Sequence, residues 1–107
     1  MSNQIMRLIV FFDLPVTKKE ERQVATKFRN YLISDGFYMI QFSVYGRLCS
    51  TIENANLHVN KMKNYLPFKG SVRGLLVTEK QYSKMMVLLG HKKRKEKGIL
   101  ENQLSIF

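Results

Sequence analysis

Carboxylates are scarce in this chain. Its 107 residues hold 8 Asp+Glu against 18 Lys+Arg, and only two of the acids are aspartates, Asp13 and Asp35. Cysteine is scarcer still. A single one, Cys49, excludes an internal disulfide and any CxxC metal site. No apolar run approaches the roughly 18 residues needed to span a bilayer. The opening MSNQIMRLIV lacks the pattern of a signal peptide, so a cytoplasmic protein is expected. No internal repeat and no second domain show, and a chain of this length makes one domain with a real but small core.

What is abundant is positive charge. The formal net charge is +10 and the sequence pI is near 10.0, while the hydrophobic fraction of 45% is that of an ordinary globular protein. Such a balance favours a polyanionic partner, above all nucleic acid, although many small basic proteins bind none.

Hydrophobic periodicity orders the elements. Residues 6–12 (MRLIVFF) form an apolar run of strand length that ends at Asp13-Leu14-Pro15, where proline stops the strand. Thr17-Lys18-Lys19-Glu20 fits a capping box, and Val24, Phe28, Tyr31 and Leu32 recur at helical spacing, so a helix is expected to about Ser34 with Gly36 ending it. Residues 37–48 (FYMIQFSVYGRL) read as two strands with a turn between Ser43 and Gly46. A second box, Ser50-Thr51-Ile52-Glu53, opens a helix over 51–66, with Ile52, Ala55, Val59, Met62 and Leu66 as its apolar stripe and Pro67 as its stop. Residues 71–77 (SVRGLLV) give a fourth strand. A short helix follows Thr78, with Tyr82, Met85, Met86 and Leu89 on one face.

The order βαββαβ predicts an α+β, ferredoxin-like fold over residues 1–90: an antiparallel sheet with two helices on one face. A basic connector and an edge strand are expected over 91–107, from HKKRKEKG and ILENQLSIF. Strands 6–12 and 37–45 are apolar on both alternating faces, whereas a sheet face open to water should be polar. The uncovered face is therefore expected to pack on a second copy of the chain as an isologous homodimer. The last strand could add to the partner's sheet edge.

Asp13 is the sharpest candidate, because a strongly basic chain places one of its two aspartates where a buried strand meets a turn. Mg²⁺ takes one or two protein carboxylates and fills its shell with water and phosphate oxygens, so one Asp is too few in a monomer, but a pair across a two-fold axis would serve. The structural alternative is a turn residue whose side chain accepts backbone N–H groups. No second carboxylate lies near Asp13 in its strand, since Glu20 is assigned to the cap, and His58 and His91 fall in other segments. Among the cations, Lys18, Arg22 and Arg29 share one helical stripe, and Lys18 and Lys19 sit in the first turn, where free N–H groups favour a phosphate. Arg47, Lys61, Lys63, Lys69 and Arg73 could extend that ridge. Tyr31, Phe37, Phe42 and Tyr45 are assigned to the core or the dimer interface, so binding is expected to be sequence-independent, dominated by phosphates and dependent on salt.

Four stretches, VFFDLP, KFRNYLISDGF, QFSVYGRL and LLVTEKQY, stand in the order found in the small CRISPR-associated adaptation protein (Cas-two) family. The similarity covers about Met6 to Leu89 and is strongest to the variant of type II-A systems. The resemblance implies a ferredoxin-like homodimer that bridges two dimers of the CRISPR integrase (Cas-one) in a heterohexameric complex. There it would hold a protospacer duplex for integration into repeat DNA. It also implies a second possibility, a Mg²⁺-dependent endonuclease acting on RNA or duplex DNA, whose metal ligand is the aspartate ending the first strand, here Asp13. A generic basic ferredoxin-like dimer, such as a regulator's domain, is the third reading, since this fold hosts many functions.

Overall fold

The computed structural model describes residues 4–89. β1 spans Met6–Asp13, α1 Lys19–Ser34, β2 Tyr38–Gln41, β3 Val44–Cys49, α2 Ile52–Met62, β4 Ser71–Thr78 and α3 Glu79–Ser83, with one 3-10 turn at Lys63–Tyr65. The strands make one sheet in the order β2-β3-β1-β4, with every neighbouring pair antiparallel. This is the expected ferredoxin-like order, with the most apolar strand, β1, held on both sides. The connector and the edge strand expected over 91–107, and His91, lie outside the described residues.

Alternation along β1 decides which side is core. Leu8, Val10 and Phe12 point to the helices and pack with Phe28, Tyr31 and Leu32 of α1, Ala55 and Met62 of α2, and Tyr45 and Cys49 of β3. Phe12 meets Phe28 edge-on, with ring centroids 5.3 Å apart. Each such fully buried large side chain contributes roughly 1.5–3 kcal/mol. The opposite face carries Arg7, Ile9, Phe11 and Asp13 of β1 opposite Val77, Leu75, Arg73 and Ser71 of β4. No α1 or α2 residue covers it.

Several boundaries move by a residue. The first cap belongs to Lys18, whose amide donates to Glu21 Oε1 at 2.9 Å, so Glu21 rather than Glu20 closes it. That bond, more than any other cause, holds the Glu21 carboxyl below the usual carboxylate range. The second cap is Thr51, whose hydroxyl accepts from the Asn54 amide at 3.0 Å. On the buried face of α1 Ala25 stands in place of Val24, and His58 joins Ala55 and Met62 on that of α2, while Ile52 and Leu66 are exposed. α1 ends as expected: Gly36, at φ 93°, lets its own amide reach Ile33 O and that of Phe37 reach Leu32 O. The hairpin turn is Phe42-Ser43, with Ser43 at φ 68°, so Gly46 lies inside β3. α3 stops at Ser83, which leaves Met85, Met86 and Leu89 exposed rather than on a helical face.

Candidate nucleic-acid interface and the Asp13 strand end

Asp13 is the last residue of β1, on the uncovered sheet face, with Ser71 directly opposite and Arg73 one diagonal step away. Its carboxylate is exposed and has no hydrogen-bond or ion-pair partner among the described residues. The turn-residue reading is thereby overturned, because that role requires backbone N–H groups on the carboxylate. Behind the strand end, Gly70 stands at φ 99°, and a Cβ there would lie 2.5 Å from the Asp13 carbonyl oxygen and 2.9 Å from Leu14 Cδ2. Gly70→Ala is expected to cost about 2 kcal/mol through strain and clash together. A urea midpoint equal to wild type would show that the loop simply moves aside.

No cluster of three or more His, Cys, Asp or Glu able to hold a metal exists among the described residues. The described residues of one chain therefore bring a single carboxylate, Asp13, to this strand end. Asp13 from two chains would supply two carboxylates, which is what Mg²⁺ accepts.

The uncovered face divides in two. At its Met6 end, Arg7 forms a two-pronged ion pair with Glu79 of α3, at 2.5 and 2.7 Å. Its guanidinium also donates to the Tyr38 hydroxyl and lies 4.5 Å from the Tyr82 ring centroid. Glu79 above all holds the Arg7 proton more firmly than usual. Leu48 stands opposite Arg7 on β3 and is half exposed. Toward the Asp13 end the face carries Leu75 and Phe11, which are 51% and 39% exposed. Nothing in the described chain covers that end.

The cations separate into two groups. Arg47 and Lys61 are committed to the second aspartate. Asp35 is 7% exposed; His58 Nδ1 lies 2.8 Å from its carboxylate and Lys61 Nζ 2.9 Å, while Arg47 Nε donates to its carbonyl at 2.6 Å. An ionised carboxylate only accepts, so His58 carries a proton on Nδ1. Burial alone would raise the Asp35 carboxyl, but the bonds from Lys61 and His58 and their charge outweigh it and hold it below 3.8. The Tyr31 hydroxyl, 3.4 Å from the same carboxylate, is pushed up to about 12 by burial first and by Asp35 second. These contacts hold the end of α1 to α2 and β3.

The remaining cations face outward. A shallow trough along α1 is lined by Lys19, Arg22, Gln23, Thr26, Lys27 and Asn30. Arg22 and Arg29, seven residues apart, share one side of α1, with Lys18 at its N-cap; the guanidinium of Arg29 turns over Phe12 and Phe42. Arg22 is partly engaged, donating to the carbonyls of Val16 and Thr17. Lys27, eight residues from Lys19, joins the same trough, a residue the sequence reading did not name although helical spacing allows it. Lys63 and Lys69 lie in exposed segments, Lys69 close enough to Glu21 to lower its carboxyl slightly, and Arg73 shares the uncovered face with Asp13. No helix among the described residues is long and apolar enough to cross a membrane.

Comparison with known proteins agrees with the order of motifs. The family model described as "CRISPR associated protein Cas2" matches residues 6–85. A protein of Acidovorax ebreus (strain TPSY) named "CRISPR-associated endoribonuclease Cas2" is 46% identical over 102 residues, 95% of this chain and 100% of its own length. Proteins of the same name are 42% identical in Campylobacter jejuni, over 100% of this chain and 75% of theirs, and 47% identical in Treponema denticola, over 82% and 87%. With this fold, this sequence match and an aspartate alone at the end of β1, the chain belongs to the CRISPR-associated Cas2 family.

Proposed function

We propose that the chain acts in CRISPR adaptation as a homodimer that holds a DNA duplex by its phosphates and bridges integrase dimers, without cutting the DNA itself. The observation that supports this best is the pairing of two surfaces. An uncovered apolar stretch of sheet offers a self-complementary contact, and an outward trough of Lys19, Arg22 and Lys27 on the other side would be presented twice by a dimer. No side chain in the trough is arranged to read base edges, so binding tracks backbone charge.

The second reading is a Mg²⁺-dependent nuclease, favoured by the bare Asp13 carboxylate on the face through which two chains would meet and by the relatives' endoribonuclease name. Mg²⁺ held by both Asp13 carboxylates would polarise a phosphate and activate a water. Arg73, on the same face, is placed to receive a phosphate oxygen. No residue near Asp13 in the described chain is positioned as a separate base.

The test is integration of a labelled duplex into repeat-containing DNA by the cognate integrase. The assay compares wild type, Asp13→Ala and Lys19→Ala/Lys27→Ala, with the protein alone plus Mg²⁺ on the same gel. The expected result is full integration with Asp13→Ala and no cutting by the protein alone. The double lysine variant should bind more weakly, and its plot of log affinity against log salt should be shallower by about one for each phosphate it no longer neutralises. A Mg²⁺-dependent cut that disappears in Asp13→Ala would establish the nuclease reading instead.

A further inference from the structure

Phe42 occupies the tip of the β2–β3 hairpin and is 73% exposed, although the sequence pattern assigns it to the core or an interface. Nothing about the turn asks for a large ring. Two-residue hairpin turns favour Asn, Asp and Gly, because those residues accept positive φ. Here Ser43 takes that conformation, at φ 68°, and its carbonyl accepts from the Phe12 amide at 3.0 Å, which pins the tip beside the Phe12–Asp13 end of β1.

Behind the ring stands Arg29. Its guanidinium carbon lies 4.5 Å from the Phe42 centroid and 5.7 Å from that of Phe12. Its Nε is shut off from solvent with no hydrogen-bond partner, and no carboxylate pairs with the guanidinium among the described residues. A cation so placed fixes the orientation of an exposed ring in advance and keeps its remaining N–H donors for an anion. Phe68 is more exposed still, yet no cation or ring packs on it among the described residues.

We propose that Phe42 is a stacking platform for an unpaired nucleotide, with Arg29 holding both the ring and the adjoining phosphate. An aromatic face takes a base of any identity, and an arginine fork takes phosphate oxygens. Bases inside a duplex have no free face, so the occupant is an unpaired nucleotide in a single strand or at an opened duplex end. The proposal rests on the nucleic-acid-binding reading above and adds a base contact to a surface otherwise made of charge. Arg29 packs over Phe12 on the helix side of the sheet, so the site shares the strand end with Asp13 but not the face that carries that carboxylate.

The chain has no tryptophan, so Phe42→Trp in the full-length protein provides a single reporter. Fluorescein-labelled oligo-dT, followed by anisotropy, reports binding, and Trp fluorescence reports stacking. Inorganic polyphosphate serves as a polyanion without bases. The expected result is that oligo-dT quenches the Trp, while polyphosphate competes for binding without quenching. Phe42→Ala and Phe42→Leu should bind oligo-dT about fivefold more weakly or worse, whereas Phe42→Tyr and Phe68→Ala retain wild-type affinity. Unchanged melting curves would show that the variants fold.

Binding without quenching, with Phe42→Ala as tight as wild type, overturns the proposal. So does full affinity in Phe42→Leu, which would mark an apolar contact rather than a stack. Binding to a blunt duplex but not to oligo-dT also overturns the stacking proposal and leaves the scaffold reading intact. Failure to bind either nucleic acid overturns both.

Discussion

Asp35→Ala is expected to destabilise the chain by about 3 kcal/mol, a large share of the roughly 5–15 kcal/mol that holds a small domain folded. The carboxylate is buried and accepts from His58, Lys61 and the Tyr31 hydroxyl, and its own carbonyl is capped by Arg47. Removing it leaves the buried His58 Nδ1–H and Tyr31 hydroxyl without an acceptor, and each orphaned group costs about 1–3 kcal/mol. Lys61 contributes less, since its side chain is half exposed and water replaces its partner. Asp35→Asn should recover part of the loss but none of the charge interaction.

The same carboxylate predicts a pH dependence with a definite sign. Its folded-state pKa lies below the ordinary value of 3.8, so the folded form binds its proton more weakly than the unfolded form does. The stabilisation is complete above about pH 4 and is lost as pH falls further, through the lowered value. Urea midpoints from about pH 6 down to about pH 2.5 should therefore fall more steeply for wild type than for Asp35→Asn. Parallel curves would show that Asp35 is not held as an ion by His58 and Lys61.

How much of this was legible in the sequence follows from what each signal depends on. The strand order and the two long helices came from periodicity and from Pro15, Gly36 and Pro67, all local, and they needed no knowledge of packing. The caps slipped by one residue because Thr17 and Ser50 satisfy the same side-chain pattern as their neighbours, and only the chain's entry angle decides between them. Ala25, three residues before Phe28, and His58, between Ala55 and Met62, lie on the buried faces whichever residue caps the helix; one is small and the other polar, so hydrophobicity did not mark them. Asp35 could not have been found, because its partners lie 23 and 26 residues away on α2. Arg47 and Lys61 read as free cations for the same reason. Phe42 stands outside the core because the hairpin geometry put the ring at the tip, whereas hydrophobicity alone predicts burial; its exposure in one chain is compatible with the other half of the assignment, an interface. Asp13 stands at the strand end where the sequence puts it, and its carboxylate has no partner among the described residues, which leaves the turn-residue role without the backbone bonds it needs.

The largest expected effect concerns the uncovered sheet face. Phe11→Arg combined with Leu75→Arg should convert the proposed dimer into a monomer, observed as a halved mass in sedimentation equilibrium or light scattering at micromolar concentration. Both side chains are substantially exposed in a single chain, and they sit at adjacent strand positions, Phe11 opposite Arg73 and Leu75 opposite Ile9. Arginine at either position leaves the folded monomer close to its wild-type stability, as surface substitutions usually do. In a two-fold contact each substitution occurs twice, so four guanidinium groups would enter an apolar interface that already holds two copies of Arg73. Burying unpaired charge costs several kcal/mol per group, enough to remove a dimer held by this face. Loss of the proposed dimer would also remove the pairing of Asp13 carboxylates proposed for it and halve the number of Lys19–Lys27 troughs on one particle. Duplex binding should then weaken by much more than any single lysine substitution achieves. A variant that remains dimeric with an unchanged melting curve would place the contact elsewhere on the molecule. Asp13 would then have no route to a second carboxylate through this face, and the Mg²⁺ reading would fall together with the proposed dimer.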